Sequence, residues 1–502
     1  MKKALIIGGV ALGLGALGWS GLWFAGQGEI AARMDAELAH LAQRGSRVSF
    51  DAREISGFPF GYTVTLTEAV AEMADRQGGQ MVYRFPRVDV AFDVSAPTEL
   101  RATLPPTFSA EIRPGPEARA ANPGLGESLV VDFEADAAEL GLSGLPGAER
   151  RVDLSATSLL AVHSLTGRDG HMAMELADLA ADVLIPAPFA EGEATATGSV
   201  GLVDYAFSLT EEGKGRLTLE GQIEGIQLQS ATSIRDRSQL IALLSGVAGP
   251  ALSINLSSSR AVTRLTSEGE PSVSGTVTLS RGTGAAIVDL AEGRLSLRGE
   301  ARGNLLEVAS ADPQGPKGSA DIDSLDVIYR VPVAPTPEMQ PFDLKFALTG
   351  LAPDAAAWEI LDKSGKLGRD PAQIIADFDG TMRLTKSPAE RLPGEAQPVA
   401  FGNVRINMLD MKALGAEVTA RGDLEFLQPI NQPQGEVEIR LSQVTEVLTQ
   451  LVQDGVLRPD ILLISSVMLG TYTEREPETG VLVSRIELGP MGPIVNGTPL
   501  RQ

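Results

Sequence analysis

Cysteine is absent from this chain, and histidine occurs only three times in 502 residues. Without Cys there is no disulfide framework, no zinc–thiolate centre, no cysteine nucleophile and no acylation site for a lipoprotein. His40, His163 and His171 form no pair at the i, i+4 spacing of a helical metal site, so each reads as a surface or locally hydrogen-bonded residue. Basic residues are also scarce: 42 Lys+Arg stand against 65 Asp+Glu, a net charge of −23. That balance argues against sequence-independent nucleic-acid binding, which needs a basic face to neutralise phosphates. Disorder is excluded by the 43% hydrophobic content. About 500 residues exceeds what a single core usually fills, so two or more units are expected.

The long uncharged run Ala4–Ala25 stands out against this background. As a helix it would be about 33 Å long, enough for a hydrocarbon core of about 30 Å. Lys2 and Lys3 precede it, and Trp19, Trp23 and Phe24 lie at its far end, where aromatic rings favour the membrane interface. The positive-inside rule then places the N-terminus in the cytoplasm and the rest of the chain on the other side. A cleaved signal peptide is the competing reading. The run is longer than the usual apolar stretch of about 7–15 residues, and no small-x-small cleavage site follows it, so an anchor is favoured. Gly13-x-Gly15-x-x-Gly18 matches the dinucleotide fingerprint in letters only, since it lies inside the apolar run rather than between a strand and a helix. Residues 27–44 then carry Ile30, Met34, Leu38 and Leu41 on one helical face, which predicts a helix packed on the domain that follows.

From about residue 48 the apolar period is two. Tyr62, Val64 and Leu66 alternate with threonines. Leu217/Leu219, Val277/Leu279, Leu295/Leu297, Leu325/Val327/Tyr329, Phe342/Leu344/Phe346, Val404/Ile406 and Val437/Ile439/Leu441 repeat the pattern. Strands with one covered and one wet face are the mark of antiparallel sheet, and 54 Gly and 31 Pro supply turns between them. Gly215-Arg-Leu-Thr-Leu-Glu-Gly221 returns as Gly293-Arg-Leu-Ser-Leu-Arg-Gly299, with Gly225 and Gly303 also in step. Duplication of a β unit and chance likeness between alternating strands are both open readings. Short helices are expected at Pro353–Leu361 and Pro371–Ala376. Ser238–Ser259 reads as a helix plus a strand, and residues 442–472 as a helical hairpin joined at Asp454–Arg458.

The expected fold is therefore mainly β with some α: an N-terminal transmembrane helix, a large twisted antiparallel sheet assembly and a C-terminal helical hairpin. The divisions read from the sequence are 1–26 for the cytoplasmic tip and anchor, 27–47 for the amphipathic helix, 48–330 for a first β region and 331–502 for a second. No catalytic, cofactor-binding or metal-ligating residue is assigned, since serine-elbow, phosphate-loop and His-Glu-x-x-His motifs are all missing. Asp321/Asp323/Asp326 and Asp377/Asp379 read as the wet faces of strands rather than as an acid site.

Several segments in order resemble a family of Gram-negative envelope proteins of unknown function with one N-terminal anchor. They are the Lys-led anchor, Ile55-Ser-Gly57-Phe58-Pro59-Phe60, the Asp343-Leu344 strand before Trp358, the helical hairpin and the closing Asn496-Gly497. The resemblance implies an exported, membrane-tethered β domain and no activity. Gly57, Phe58 and Pro59 read as a conformational corner, and the motif is similar by analogy to one in AsmA-like lipid-handling proteins. The functional expectation is an inner-membrane-anchored periplasmic protein that binds or scaffolds an apolar envelope component or envelope proteins, without nucleic acid or cofactor. The alternative is a carboxylate-dependent hydrolase acting on an envelope carbohydrate.

Overall fold

The computed structural model describes residues 31–32, 34–36, 38–39, 42, 46–56, 61–74, 79–93, 96–113, 115, 128–144, 148–164, 169–186, 193–211, 215–233, 251–269, 274–312, 317–386, 399–427, 432–490 and 492–499. The expected anchor with Trp19, Trp23 and Phe24, the corner Gly57, Phe58 and Pro59, and residues 234–250 lie outside the described residues. Among the described residues no helix is long and apolar enough to cross a membrane. The chain forms two compact units, Met1–Ser233 and Ile234–Gln502. Residue 331, where the sequence places the start of a second β region, falls within one strand of the second unit.

The first unit is an antiparallel sheet. The short strands β1 (Ser46–Ser49) and β2 (Ala52–Ser56) share one flank of β3 (Gly61–Ala74). On the other flank β3 pairs with β4 (Gln80–Asp93), and β4 with both β5 (Ala96–Thr103) and β6 (Thr107–Arg113). Then come β7 (Leu129–Asp136) and β8 (Glu139–Ser143), which both pair with β9 (Arg150–Ser164). Long hairpins follow through β10 (Asp169–Ile185), β11 (Ala194–Glu211) and β12 (Gly215–Thr232).

The core of this unit lies under β3–β9. Leu66 and Val88 are fully buried there. Tyr83, Phe85, Phe108 and Phe133 stack in sequence across β4, β6 and β7, at centroid separations of 6.2, 5.3 and 4.8 Å. The described residues between 31 and 42 are helical. Met34 is buried in the core and Leu38 packs against it, as a helix docked by its apolar face should. Arg53 fixes this helix by an ion pair to Asp35 at 2.8 Å and a bond to the Ala31 carbonyl.

One irregularity crosses this sheet at right angles to its strands. In β3 the buried positions run Val64, Leu66 and then Ala69, Ala71, so the period of two slips by one residue at Glu68. The same slip separates Tyr83/Phe85 from Val88/Val90 in β4, and Val152/Ala156 from Leu159/His163 in β9. The registers align these slips. Glu68 lies opposite Pro86, the β5–β6 break opposite the β7–β8 break, Asp178 beside Gly201, and Gly201 opposite Gly225. Glu68, Ala137, Asp178 and Gly225 all have positive φ. Each strand thus inserts one extra residue at the same level, as a β-bulge does.

The second unit repeats this device. β13 (Leu252–Ser258) and β14 (Arg260–Glu268) break beside Ser259. Next to them β15 (Gly275–Arg281) and β16 (Gly284–Ala291) break at 282–283. β17 (Arg294–Ser310) slips at Gly303, opposite Asp323 in β18 (Lys317–Pro332), which in turn adjoins Gly350 in β19 (Gln340–Pro353). Gly225 and Gly303 share the same φ of +61°, ten residues after the positive-φ glycines Gly215 and Gly293. The near-repeat in the sequence therefore marks two strands that enter from a turn and cross a slip at the same distance.

The sheet of the second unit continues through β20 (Ala372–Leu384), β21 (Val399–Ala413), β22 (Ala416–Leu427), β23 (Gln432–Ser442), β25 (Leu482–Gly489), β26 (Gly492–Val495) and β27 (Thr498–Pro499). β24 (Glu474–Arg475) flanks β25. The expected helix at Pro371–Ala376 is instead the start of β20. Ile374, Ala376 and Phe378 alternate there between registered neighbours on β19 and β21, and that pairing overrides a short local pattern. The expected helix after Pro353 is present as α1 (Ala355–Leu361), capped by the Asp354 carboxylate on the Ala357 N–H at 2.7 Å. The helical hairpin is present as α2 (Val444–Gln453) and α3 (Pro459–Tyr472). Leu451 of α2 packs with Trp358 and Leu367. Asn496 and Gly497, at φ 47° and 75°, make the tight β26–β27 turn. The Asn496 side chain also bonds the Arg485 N–H and the Tyr472 carbonyl.

Two expectations follow. A Cβ at Gly303 meets nothing closer than 4.0 Å, so its requirement for Gly is set by positive φ alone. Gly303→Ala should cost about 1–2 kcal/mol and Gly303→Asn less, while Gly299→Ala, with its nearest atom at 3.9 Å and ordinary φ, should be near neutral; denaturant titration measures all three. In the first unit, Arg113 and Arg84 hold the Glu111 carboxyl at about 2, against an ordinary 4.5. A lowered carboxyl stabilises the fold above its unfolded value and loses that contribution as pH falls through the folded one. Wild-type stability should therefore drop between pH 4.5 and about 2 by more than that of Glu111→Gln, read from unfolding midpoints against pH.

A candidate apolar binding face

In the second unit the pairing registers bring apolar residues of successive strands into line. Val288, Leu297, Tyr329, Leu344, Phe378 and Ile406 are direct cross-strand neighbours from β16 to β21. The row begins at Ile254 on β13 and continues through Gly422, Val437 and Ile486 to Val495 on β26. Eleven strands at about 4.8 Å give a row on the order of 48 Å wide. Parallel rows flank it, such as Ala286, Gly299, Val327, Phe346 and Ala376.

This face is not packed as a core. Most of the row is half-buried, and Tyr329 is exposed. Leu256, Leu265, Val277, Leu279 and Met411, on the same face, are each 39–44% exposed. Among the described residues its buried apolar clusters lie at the margins. Val331, Phe342, Met382 and Leu384 cluster at one end of the strands, and Trp358, Leu367 and Leu451 at the end that carries the helices. In the first unit the corresponding face is buried under β3–β9 but opens at β10–β12, where Met172, Met174 and Leu217 are exposed.

The reverse face carries the charge. Lys345 meets Asp377 at 2.8 Å, Arg302 meets Asp326 at 2.9 Å, Arg405 meets Asp423 at 2.9 Å, and Arg485 meets Glu438 at 3.1 Å. Burial pushes the Asp377 carboxyl up, but hydrogen bonds from the Lys345 ammonium and the Asn407 amide outweigh it and hold it below its ordinary value. The same bond raises Lys345. Asp321, Asp323 and Asp326 of β18, and Asp377 and Asp379 of β20, all stand off the apolar face. A cavity of about 360 Å³ opens beside Met408, Asp410, Arg421 and Arg440. Its carboxylates Asp410 and Glu417 pair with Lys412, and Glu438 with Arg440 and Arg485. Buried His163 gives its Nδ1 to the Val130 carbonyl at 2.6 Å. Among the described residues no group of three or more acidic or histidine side chains converges as a ligand set.

Of the residues singled out from the sequence, the alternating Leu297, Tyr329, Leu344, Ile406 and Val437 lie in this row, while Trp19, Trp23, Phe24, Gly57, Phe58 and Pro59 are outside the described residues. The face itself left a trace in the sequence. Leu217, Leu219 and Ile223 sit on odd positions, then Ile226 and Leu228 on even ones, with Gly225 between them. That change of phase is the signal that these are single long strands crossing one bend.

The geometry defines a class: an antiparallel β protein with one charged face and one continuous, half-open apolar face. Residues 23–232 match the model of a family described as an uncharacterized protein conserved in bacteria, DUF2125. The match ends with β12, at the close of the first unit, and bears out the resemblance to a bacterial family of unknown function. No curated protein and no solved structure matches the chain.

Half-exposed side chains lose little when truncated. Leu297→Ala should cost about 1 kcal/mol or less, whereas Leu66→Ala, at a position 1% exposed in the first unit, should cost about 2–5 kcal/mol. Urea unfolding of the two variants reads the difference.

Proposed function

We propose that this protein is a membrane-tethered binder of apolar envelope components, and that the row from Ile254 to Val495 receives the hydrocarbon chains of a lipid. The observation that carries this reading is a row of uncharged residues from Ile254 to Val495, wide in the strand-pairing direction, that no second layer of described elements covers. Its width of about 48 Å exceeds one membrane leaflet, about 15 Å of hydrocarbon, so extended acyl chains fit along it. Large apolar patches on soluble domains mark ligand, membrane or partner surfaces. Tethering would come from residues 4–25, with the N-terminus cytoplasmic and the β units in the periplasm. The reading needs no catalytic group.

The alternative, a hydrolase working through paired carboxylates, needs one carboxyl raised toward neutrality. The carboxyls displaced among the described residues, Asp89, Glu111, Asp354, Asp362, Asp377 and Glu476, are all displaced downward. That pattern favours structural pairing over acid–base work.

Tyr329 and Arg330 are adjacent in β18 but lie on opposite faces. A photo-crosslinking residue placed at each position in the intact chain, activated in bacterial cells, should give lipid adducts at 329 at least ten-fold above those at 330. Equal yields, or adducts at neither position, would sink the proposal.

A further inference from the structure

Helix α3 is unlike the other described helices. From Ile461 to Thr473 it has no charged residue, and none of its residues is buried. Leu463 is 67% exposed, Val467 59%, Ile464 58% and Met468 54%. At about 100° per residue these four and Ile461 cover an arc of about 160°. The remaining side, with Leu462, Ser465, Leu469 and Tyr472, is half-buried. Helix α2 instead lays Leu451 and Val447 into the cluster around Trp358. A helix that is apolar nearly all round belongs in a core or in a membrane, and α3 joins no core cluster among the described residues.

We propose that α3 seats its exposed arc in the outer hydrocarbon of one membrane leaflet. Its 14 residues make a helix of about 21 Å, shorter than the roughly 30 Å needed to cross, so it enters one leaflet and lies shallow. Arg458, 81% exposed and paired to Asp460, stands before the apolar stretch, and exposed Glu474 stands after it, keeping both ends at the water boundary. The surface suits a bilayer better than a second copy of the chain. The five exposed side chains offer on the order of 500 Å², below the roughly 800 Å² per partner of a stable protein interface. A lipid surface sets no such minimum, because it adapts to the helix. The proposal stands on α3 alone and does not require ligand on the sheet.

The natural absence of Cys makes the test direct. Single variants Val467→Cys on α3 and Glu436→Cys on the charged face of β23, each in the full chain, are labelled with an environment-sensitive fluorophore. They are reconstituted in vesicles of phosphatidylethanolamine and phosphatidylglycerol, with or without lipids carrying a nitroxide near the headgroup or deep in the chain. The label at 467 should be quenched at least three-fold more than that at 436, and more by the shallow nitroxide than by the deep one. Equal quenching at the two sites overturns the proposal. So does efficient disulfide formation by Leu463→Cys between two copies in the same vesicles, which would assign the arc to a protein partner.

Discussion

A strand can change which residues face its core only by inserting or omitting one residue. In this protein neighbouring strands do so together, from β3 to β12 in the first unit and from β13 to β19 in the second. If Glu68 slipped and Pro86 did not, Val64 and Leu66 would share a face with Val88 and Val90 while Ala69 and Ala71 lost theirs to the reverse side. Matched slips keep the apolar residues on one side at both ends of each strand. Positive φ marks only some of these slips, Glu68 in β3, Asp178 in β10 and Gly225 in β12 among them. Continuity of the apolar face depends on this agreement, and the closed core of the first unit and the open face of the second both inherit it.

The same parity sorts charge. With apolar residues held to one side, the acidic excess must collect on the other. There Asp377, Asp423 and Glu438 stand one strand from Lys345, Arg405 and Arg485. Cross-strand pairs of this kind are individually weak when exposed, but they order the reverse face and leave the row from Ile254 to Val495 without a charged residue. A carboxylate placed among Leu344, Phe378 and Ile406 would have no partner within reach and would lose hydration on binding an apolar ligand.

Much of this was legible in the residues. Alternation located β3, β12, β15, β17, β18, β19, β21 and β23, and the 3.6-residue pattern of Val444, Val447, Leu448 and Leu451 located α2. Pro371–Ala376 was misread because two Ile and two Ala over six residues fit either element, and only pairing with β19 and β21 decides between them. The stretch around Gly225 and Gly303 left duplication and chance likeness both open, since a phase slip in either strand favours a residue tolerant of positive φ. The degree of cover was not legible. Leu66 and Leu297 occupy equivalent places in alternating strands, and nothing local distinguishes a side chain that is 1% exposed from a half-exposed one; the difference lies in whether a distant segment, such as the helix bearing Met34, returns to cover it.

An apolar face that no described element covers carries a cost. Sheets normally close, add a layer of helices or turn polar on the open side. The first unit follows that rule by docking Met34 and Leu38 on its core. In the second unit the described helices gather at one end of the strands instead, and α2 covers the corner around Trp358 and Leu414. Had stability been the sole demand on these positions, Thr or Ser at Val277, Leu279 and Tyr329 would keep β propensity without exposing hydrocarbon. Large apolar residues at exposed registers, repeated strand after strand in one face, are instead what contact with an apolar phase requires. A hydrocarbon ligand would supply the missing layer, taking the place that a packed helix holds in the first unit.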